Sequence, residues 1–220
     1  MFTAIDLFAG QGGLTAGFQR VKDWYHLAAV EKNAGHCRIL RQIFPDLNVI
    51  QNDVSSVDWK SVLKGAEVDC VVGGPPCQPF SVGGRHWNGN GWDDECNGIP
   101  TFVDIVRILK PKAFLMENVA SVWWTSYRHH IQGIIDRFKE MGFVYTDAAV
   151  LDAADFGAPC HRKRLFVYGT QLDHSWLEKT HVGAHVGARE FLVPLLQNRK
   201  PDGAPIPEWA KPKVKGVGAI

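Results

Sequence analysis

A chain of 220 residues is long enough to bury one substantial hydrophobic core, so we expect one main domain. Its composition, 45% hydrophobic and 21% charged, is that of a globular protein, and no apolar run approaches the ~20 residues that a helix needs to span a bilayer, which argues against a membrane-spanning helix. The formal net charge of +1 argues mildly against a large duplex-binding surface, because nucleic-acid enzymes often carry a larger basic excess.

Hydrophobic runs alternate with helical patterns along most of the chain. In chain order, we predict strand Thr3–Phe8, helix Leu14–Arg20, strand His26–Glu31, helix Ala34–Phe44, strands Val49–Ile50 and Val68–Gly73, helix Phe102–Leu109, strand Ala113–Glu117, helix His129–Met141, and strands Phe143–Leu151 and Arg162–Gly169. This alternation predicts an α/β fold with a doubly wound, mostly parallel sheet of seven strands. The last two strands are expected to form an antiparallel pair at the sheet edge.

Two stretches depart from this rhythm. Residues Gly83–Gly98 are rich in Gly, Asn and Asp, which predicts a mobile loop. After Gly169 the pattern fades, and residues 200–216 carry four prolines among lysines, which favours an extended tail. We therefore predict a folded domain over residues 1–170 and an irregular C-terminal extension over residues 171–220.

The N-terminus and the cysteines predict a cytoplasmic protein. The first residues lack the basic region and the long apolar stretch of a signal peptide. The five cysteines are scattered, form no Cys-x-x-Cys pair and do not lie at metal-ligand spacing with the nine histidines. We expect reduced thiols, one of them available for chemistry, and no metal site.

A glycine-rich turn, Asp6–Gly13, joins the first strand to the first helix and predicts a ligand cradle, because glycine lets the backbone approach a ligand and the helix N-terminus offers free N–H groups. No Gly-Lys-Ser/Thr follows, which excludes a P-loop, and Thr15 replaces the last glycine of a dinucleotide motif. An adenosyl cofactor remains. Glu31 is placed to accept from its ribose hydroxyls and Asp53 from its adenine amino group, although a tight turn without a ligand stays an alternative.

A second turn, Gly73–Ser81, follows the fourth strand and contains Cys77. Its prolines fix φ and its glycines allow close approach, so Cys77 should be held in a preset pose at the carboxyl edge of the sheet, where open α/β sheets bind ligands. A thiolate is a strong nucleophile near neutral pH. Most lone cysteines are structural, but the rigid turn and its place favour a catalytic role here.

Charged residues end two further strands. Glu117 closes the fifth strand, beside the fourth, where a carboxyl group can hold or protonate a ring nitrogen. Arg162 and Arg164 open the last strand, and side-chain alternation puts both on one face. A solvated glutamate and an ordinary basic strand end are the simpler alternatives for each segment taken alone.

Together and in this order, the four segments resemble the cytosine-5 DNA methyltransferase family. Asp6–Gly13 is similar to its cofactor motif, Pro75-Pro76-Cys77-Gln78 to its catalytic loop and Glu117-Asn118-Val119 to its glutamate motif, while Arg162 and Arg164 match the arginines of its Gln-x-Arg-x-Arg element. The match covers about residues 3–170.

The resemblance implies a Rossmann-like fold, S-adenosyl-L-methionine as the cofactor, cytosine in DNA as the substrate and a place in restriction-modification. It implies that Cys77 attacks carbon 6 of a cytosine that has left the base stack, while Glu117 engages N3 and Arg162 and Arg164 steady the base. The implied cofactor-binding residues are Phe8, Ala9, Gly10, Gly12, Gly13, Leu14, Glu31, Lys32, Asp53, Val54 and Pro75. The implied substrate-binding residues are Pro76, Gln78, Ser81 and Asn118.

The sequence also departs from the family pattern. Cys160 replaces the glutamine of Gln-x-Arg-x-Arg, and residues 95–101 fit only loosely the family's cofactor-contacting segment before the helix. Nothing in residues 171–220 resembles the family's target-recognition domain or its final helix. The leading hypotheses are the large subunit of a split enzyme and a truncated enzyme that acts alone. A non-catalytic cofactor-binding regulator and a transfer-RNA cytosine methyltransferase remain alternatives.

Overall fold

The computed structural model describes residues 1–76, 97–124, 127–172 and 179–185. The strands are β1 (Phe2–Leu7), β2 (Trp24–Glu31), β3 (Val49–Gln51), β4 (Cys70–Gly73), β5 (Ala113–Val119), β6 (Tyr145–Asp152) and β7 (Lys163–Thr170). The α-helices are α1 (Gly13–Gln19), α2 (Ala34–Ile43), α3 (Trp59–Leu63), α4 (Ile99–Leu109), α5 (Ser121–Trp124) and α6 (Arg128–Glu140), with 3₁₀ turns at Val54–Ser56 and Ala153–Phe156.

All seven strands form one sheet in the order β3-β2-β1-β4-β5-β7-β6. Neighbouring strands pair in parallel except for β7, which is antiparallel to both β5 and β6. The predicted fold class, a mostly parallel sheet closed by an antiparallel pair, is therefore confirmed. The chain moves first to one side of β1 and then to the other, so the switch point of the sheet lies between β1 and β4.

One face of the sheet carries the main hydrophobic core. Alternate residues of β1, β4 and β5 point into it, and α3, α4, α5 and α6 cover it. Its centre is a cluster of aromatic rings in which Phe114 stacks on Phe138 at 3.8 Å between centroids and meets Phe143 edge-on at 4.9 Å. Pairs of this kind add to the stability gained from burial alone.

The other face is covered unevenly. Helix α2 packs on the β2–β3 side through Leu40, and α1 packs over β1 and β4 through Leu14 and Phe18. Among the described helices, these two alone lie on this face. Over β5 and β7, where Leu115 and Phe166 point outward from the main core, an open cavity takes the place of a helix.

The sequence prediction missed the short helices α3 and α5, because four or five residues are too few to show a helical period. Helix α4 begins at Ile99 rather than at the predicted Phe102, with Pro100 in its first turn, a position that tolerates proline. The predicted loop Gly83–Gly98 falls mostly outside the described residues, as does most of the extension 171–220, so the predicted mobility and the predicted domain division stay predictions.

Candidate active site

A cavity of about 760 Å³ opens at the carboxyl ends of β1, β4 and β5, next to the switch point. Its wall is drawn from the first turn and α1, from the ends of β4 and β5, and from the connection between β6 and β7. The lining residues are Asp6, Phe8, Ala9, Gly10, Gly13, Leu14, Gly74, Leu115, Glu117, Leu151, Ala153, Phe156, Ala158, Arg162, Arg164 and Phe166.

The turn after β1 forms the floor of this cavity through unusual backbone geometry. Phe8, Gly10 and Gly12 all have positive φ angles of 55°, 56° and 90°. At Gly12 a Cβ atom would lie 2.6 Å from the Phe44 ring and 2.8 Å from Leu40, so only glycine fits there. The left-handed Phe8 is strained for a non-glycine residue, and such strain is concentrated at ligand sites. The turn therefore has the shape expected of the predicted cradle.

Glu31, at the end of β2, is held against this turn. Its Oε2 accepts a 2.9 Å hydrogen bond from the Gly10 N–H, and its Oε1 accepts a 2.7 Å bond from the Asn33 N–H. The side chain is almost fully buried. Each carboxylate oxygen retains a further lone pair, so Glu31 can still accept from a diol.

The other predicted adenosine contacts lie farther out. Lys32 Nζ is 4.0 Å from Asp53 Oδ2, and both side chains are mostly exposed. Asp53 caps the 3₁₀ turn that begins at Val54, because its Oδ1 accepts from the Ser55 N–H and hydroxyl at 3.0 and 2.7 Å. These bonds lower the pKa of Asp53. None of these residues lines the cavity wall, so their predicted contacts with a cofactor stay predictions.

Asp6 is a site residue that the sequence reasoning missed. Its Oδ2 accepts from the Thr15 hydroxyl at 2.6 Å and from the Thr15 N–H at 3.2 Å. Its Oδ1 is fully buried and has no hydrogen-bond partner among the described residues, although Asp6 belongs to the cavity wall. Burial raises the pKa of Asp6 to about 7. A buried carboxylate oxygen without a partner is costly, and a cationic donor in the cavity would relieve that cost.

Glu117 and Arg164 form an ion pair in the opposite wall. Arg164 Nε donates to Glu117 Oε1 at 2.7 Å, and each side chain is only about a quarter exposed. In the pairing of β5 with β7, Val119 lies opposite Arg164. Glu117 lies two residues before Val119 and shares its side of the strand, so the side chains of Glu117 and Arg164 lie on the same face of the sheet. Burial raises the pKa of Glu117, and the guanidinium groups of Arg164 and Arg162 offset this only in part.

The predicted catalytic turn is fixed where it leaves β4. A Cβ atom on Gly74 would lie 3.4 Å from Glu117 Oε2, so the carboxyl group lies against this glycine. Buried Asn118 donates from Nδ2 to the Pro75 carbonyl at 3.2 Å, and the Gly98 N–H donates to the Pro76 carbonyl at 2.8 Å. Cys77, Gln78 and Ser81 lie outside the described residues, so their roles stay predictions.

Arg162 is positioned through its backbone. Asp152 Oδ1 accepts from the Arg162 N–H at 2.9 Å and from the Ala154 N–H at 3.2 Å, while Oδ2 lies 3.0 Å from His161 Nδ1. The hydrogen bond with His161 lowers the pKa of Asp152 to about 2. This clamp joins the start of β7 to the 3₁₀ turn of the cavity wall, and both predicted arginines line the cavity.

Part of the C-terminal extension packs against the same 3₁₀ turn. The Asp155 carbonyl accepts from the N–H groups of Thr180 and His181 at 3.1 and 2.9 Å. The Asp155 carboxylate lies 2.7 Å from Lys179 Nζ and 2.9 Å from His185 Nε2. Residues 179–185 therefore brace the side of the cavity that Ala153–Phe156 forms.

Within the described ranges, no group of three or more His, Cys, Asp or Glu side chains is arranged to hold a metal ion. In the same part of the chain, no helix has the length and apolar character needed to cross a membrane.

Comparisons with known proteins agree with this geometry. The family model described as C-5 cytosine-specific DNA methylase matches residues 2–209. The Type II methyltransferase M1.HphI of Haemophilus parahaemolyticus is 36% identical over 170 residues, which is 76% of this chain and 45% of that protein. M.AquIA of Picosynechococcus is 36% identical over 192 residues, which is 80% of this chain and 76% of that protein.

Among solved structures, a mutant of Spodoptera frugiperda DNMT2 superposes with a TM-score of 0.63 at 25% identity, covering 81% of this chain and 53% of that one. The chain thus spans less than half the length of M1.HphI but about three quarters of M.AquIA. The resemblance inferred from the four sequence segments is confirmed, and the chain belongs to the C-5 cytosine-specific DNA methylase family.

Proposed function

We propose that this chain transfers a methyl group from S-adenosyl-L-methionine to carbon 5 of a cytosine in DNA. The observation that carries the proposal is the Glu117–Arg164 pair, which lies across the cavity from the glycine turn and against Gly74. Two residues beyond Gly74 the described chain reaches Pro76, and Cys77 follows directly. We therefore propose that the Glu117 carboxyl group, the Arg164 guanidinium and the Cys77 thiol act on one bound base.

The residues present fit the proposed cofactor. The left-handed turn at Phe8 and Gly10 lets the backbone lie close to a ligand, and Gly13 and Leu14, the first residues of α1, line the cavity. The partnerless Oδ1 of Asp6 can accept from the ammonium group of a methionine moiety. Glu31 can take the ribose hydroxyls, and Pro75, whose carbonyl accepts from Asn118, is proposed as a further cofactor contact. Lys32, Asp53 and Val54 complete the predicted adenosine contacts.

When bound, the cofactor supplies a methyl group that its sulfonium charge makes electrophilic. The Cys77 thiolate adds to carbon 6 of the cytosine, while the Glu117 carboxyl group, whose pKa is raised by burial, shares its proton with N3. The electron pair moves to carbon 5, which becomes nucleophilic. After carbon 5 is methylated, water accepts its remaining proton, the electron pair of that C–H bond re-forms the double bond between carbons 5 and 6, and Cys77 leaves as a thiolate.

Arg164 and Arg162 support this chemistry in two ways. Arg164 fixes the Glu117 carboxyl group at 2.7 Å, so the acid does not need to reorganise when the base arrives. Arg162 lines the same cavity and can steady the base. The target base has to leave the duplex to reach these groups, since a stacked cytosine hides its reactive carbons. Pro76, Gln78 and Ser81 are proposed to contact it, with Asn118 holding the turn.

A second subunit is part of the proposal. The cavity lies open over Leu115 and Phe166, and only α1 and α2 among the described helices cover that face of the sheet. A further helix packed there would close the cavity over a cofactor and bury apolar surface. This chain covers 76% of the length of M.AquIA, against 45% of M1.HphI, and the match to M.AquIA supports a catalytic chain of this size. The partner would also bring sequence recognition.

The decisive experiment traps the covalent intermediate. The purified chain, alone and mixed with a candidate partner, is incubated with tritiated cofactor and a duplex that contains 5-fluorocytosine. Because fluorine cannot leave as a proton does, the proposed mechanism predicts a tritiated protein–DNA adduct that survives denaturation.

Cys77→Ser should abolish the adduct, whereas Cys160→Ser, a matched change at an exposed thiol in the described part of the chain, should leave it intact. Absence of any adduct under every condition, with the cofactor bound, would contradict the proposal. An adduct with a 5-fluorocytosine RNA and none with DNA would move the substrate to RNA.

A further inference from the structure

We infer that the corner between α5 and α6, formed by Trp123, Trp124, Arg128 and His129, binds the DNA that flanks the target base. This inference rests on the proposed function and extends it to a surface outside the cavity. Trp124 is 69% exposed, the most exposed tryptophan in the described part of the chain. Burying a large aromatic ring is favourable, so an exposed indole at an active-site edge is a candidate contact for a ligand.

The topology puts this corner beside the cavity. Strand β5 carries Glu117 and ends at Val119, and α5 begins at Ser121 on the same carboxyl edge of the sheet. With a rise of about 3.3 Å per strand residue and 1.5 Å per helical residue, Trp124 lies within roughly 20 Å of Glu117. That reach corresponds to about six base-pair steps of 3.4 Å. A duplex that delivers a base to the cavity therefore passes within reach of the corner.

The local charge suits a polyanion. No Asp or Glu occurs from Asn118 to Ile135, while the same stretch holds Arg128, His129 and His130. Such a basic and aromatic run stands out in a chain whose net charge is only +1. Among the described residues, no carboxylate forms an ion pair with Arg128. Its positive charge is thus available to a phosphate.

The geometry of Arg128 strengthens this reading. Its guanidinium carbon lies 4.4 Å from the centroid of the Trp123 ring, in a cation–π contact. Stacking holds one face of the guanidinium and leaves its N–H groups, which lie in the plane of the group, free to donate to phosphate oxygens. Trp123 is partly buried against the main core, so the pair rests on a fixed base. Arg128 positions a phosphate, and Trp124 adds a flat apolar contact beside it.

The test compares two variants with two matched controls. Trp124→Ala and Arg128→Ala remove the proposed contacts. Tyr25→Ala and Arg20→Ala remove an exposed aromatic ring and an exposed arginine at the opposite, amino edge of the sheet. Binding of a fluorescein-labelled duplex of mixed sequence is measured by anisotropy at several salt concentrations, and cofactor binding is measured by calorimetry.

We expect each corner variant to weaken DNA binding about tenfold, in line with the ~1–3 kcal/mol that a stacked base contributes, with cofactor binding unchanged. Arg128→Ala should also reduce the slope of log affinity against log salt by about one. The two controls should bind like the wild type. The inference would be overturned if both corner variants bound DNA with wild-type affinity. It would also be overturned if the two variants lost only the binding of a second subunit and not the binding of DNA.

The outcome stays separable from the proposed function. If the wild type forms the 5-fluorocytosine adduct but the corner variants and the controls bind DNA equally well, only the corner assignment fails. If no adduct forms although DNA binds through the corner, methyl transfer fails and the surface stands. A wild-type chain that does not bind the labelled duplex at all overturns the corner assignment, and methyl transfer is then judged by the adduct alone.

Discussion

Substituting alanine for Gly98 tests how far the fold controls the catalytic turn. Gly98 has φ −80° and ψ −4°, a conformation that alanine adopts without strain, so any effect must be steric. A Cβ atom there would lie 2.5 Å from Pro76 Cδ and 3.0 Å from its Cγ. The proline ring has no flexible end that could move aside. Gly98→Ala should therefore push Pro76, and Cys77 after it, away from the position set by β4.

The contact distances give the size of the effect. Ordinary contacts of a Cβ atom begin at 3.4 Å, so Pro76 and Gly98 must separate by about 1 Å. The Gly98 N–H to Pro76 carbonyl bond, now 2.8 Å, would lengthen with them. Misplacing a reacting group by about 1 Å can reduce a rate roughly 100-fold. Overpacking of this kind costs about 1–3 kcal/mol of stability, so the domain should still fold.

The assay measures methyl transfer to DNA with tritiated cofactor, cofactor binding by calorimetry and unfolding by urea. Gly98→Ala should reduce kcat about 100-fold and leave cofactor affinity within about twofold, because the glycine turn after β1 is untouched. Gly133→Ala is the control, since a Cβ atom on this α6 residue meets nothing within 4 Å. It should keep full activity and gain about 0.5–1 kcal/mol of stability. A Gly98→Ala protein with wild-type kcat would refute the reasoning.

Three further predictions concern buried or clamping groups. The pKa of the Asp6 carboxyl group is 3.8 when unperturbed and about 7 in the folded chain, so the folded state binds more protons between these pH values. The unfolding free energy measured by urea titration should therefore decrease as the pH rises from about 4 to 7, and it should decrease less in Asp6→Asn. Both ring nitrogens of buried His26 lack hydrogen-bond partners in the described structure. His26→Leu should therefore raise the unfolding free energy by roughly 1–2 kcal/mol in urea titrations at pH 7. A less stable His26→Leu protein would contradict this prediction. Asp155→Asn should break the ion pairs with Lys179 and His185 and speed amide hydrogen exchange in residues 179–185. The free energy of global unfolding should change by less than about 1 kcal/mol. Unchanged exchange would show that these pairs do not hold the segment.

The fold class was predictable because it depends on patterns within the chain. Alternating runs of apolar residues set which strands are buried, and the parallel crossover rule then leaves few topologies. The antiparallel position of β7 followed from its short connection to β6. Helices α3 and α5 could not be predicted, since a single turn has no period to read and depends on tertiary packing for its stability.

The candidate site was predictable where its residues lie at the ends of strands. Carboxyl ends of neighbouring parallel strands meet at one edge, so Glu31 was expected beside the first glycine turn and Glu117 beside the turn that follows the fourth strand. Arg162 and Arg164 both line the cavity, but Arg162 lies one residue before β7, so strand alternation alone does not account for its placement. Asp6 was overlooked, although an acid that ends a buried strand just before a glycine turn is a visible signal.

By itself, the sequence determined the sheet, the position of the glycine turn and the choice of groups that we propose for the chemistry, because side-chain periodicity and strand ends are local properties. Only the tertiary structure decided how those groups meet: which oxygen of Asp6 lacks a partner, how Asn118 and Gly98 hold the two prolines, and how Asp155 fastens residues 179–185. Gly98 contacts Pro76, which is 22 positions away in the chain, and Asn118 contacts Pro75, which is 43 positions away. Contacts of this kind follow from packing, which no local pattern encodes.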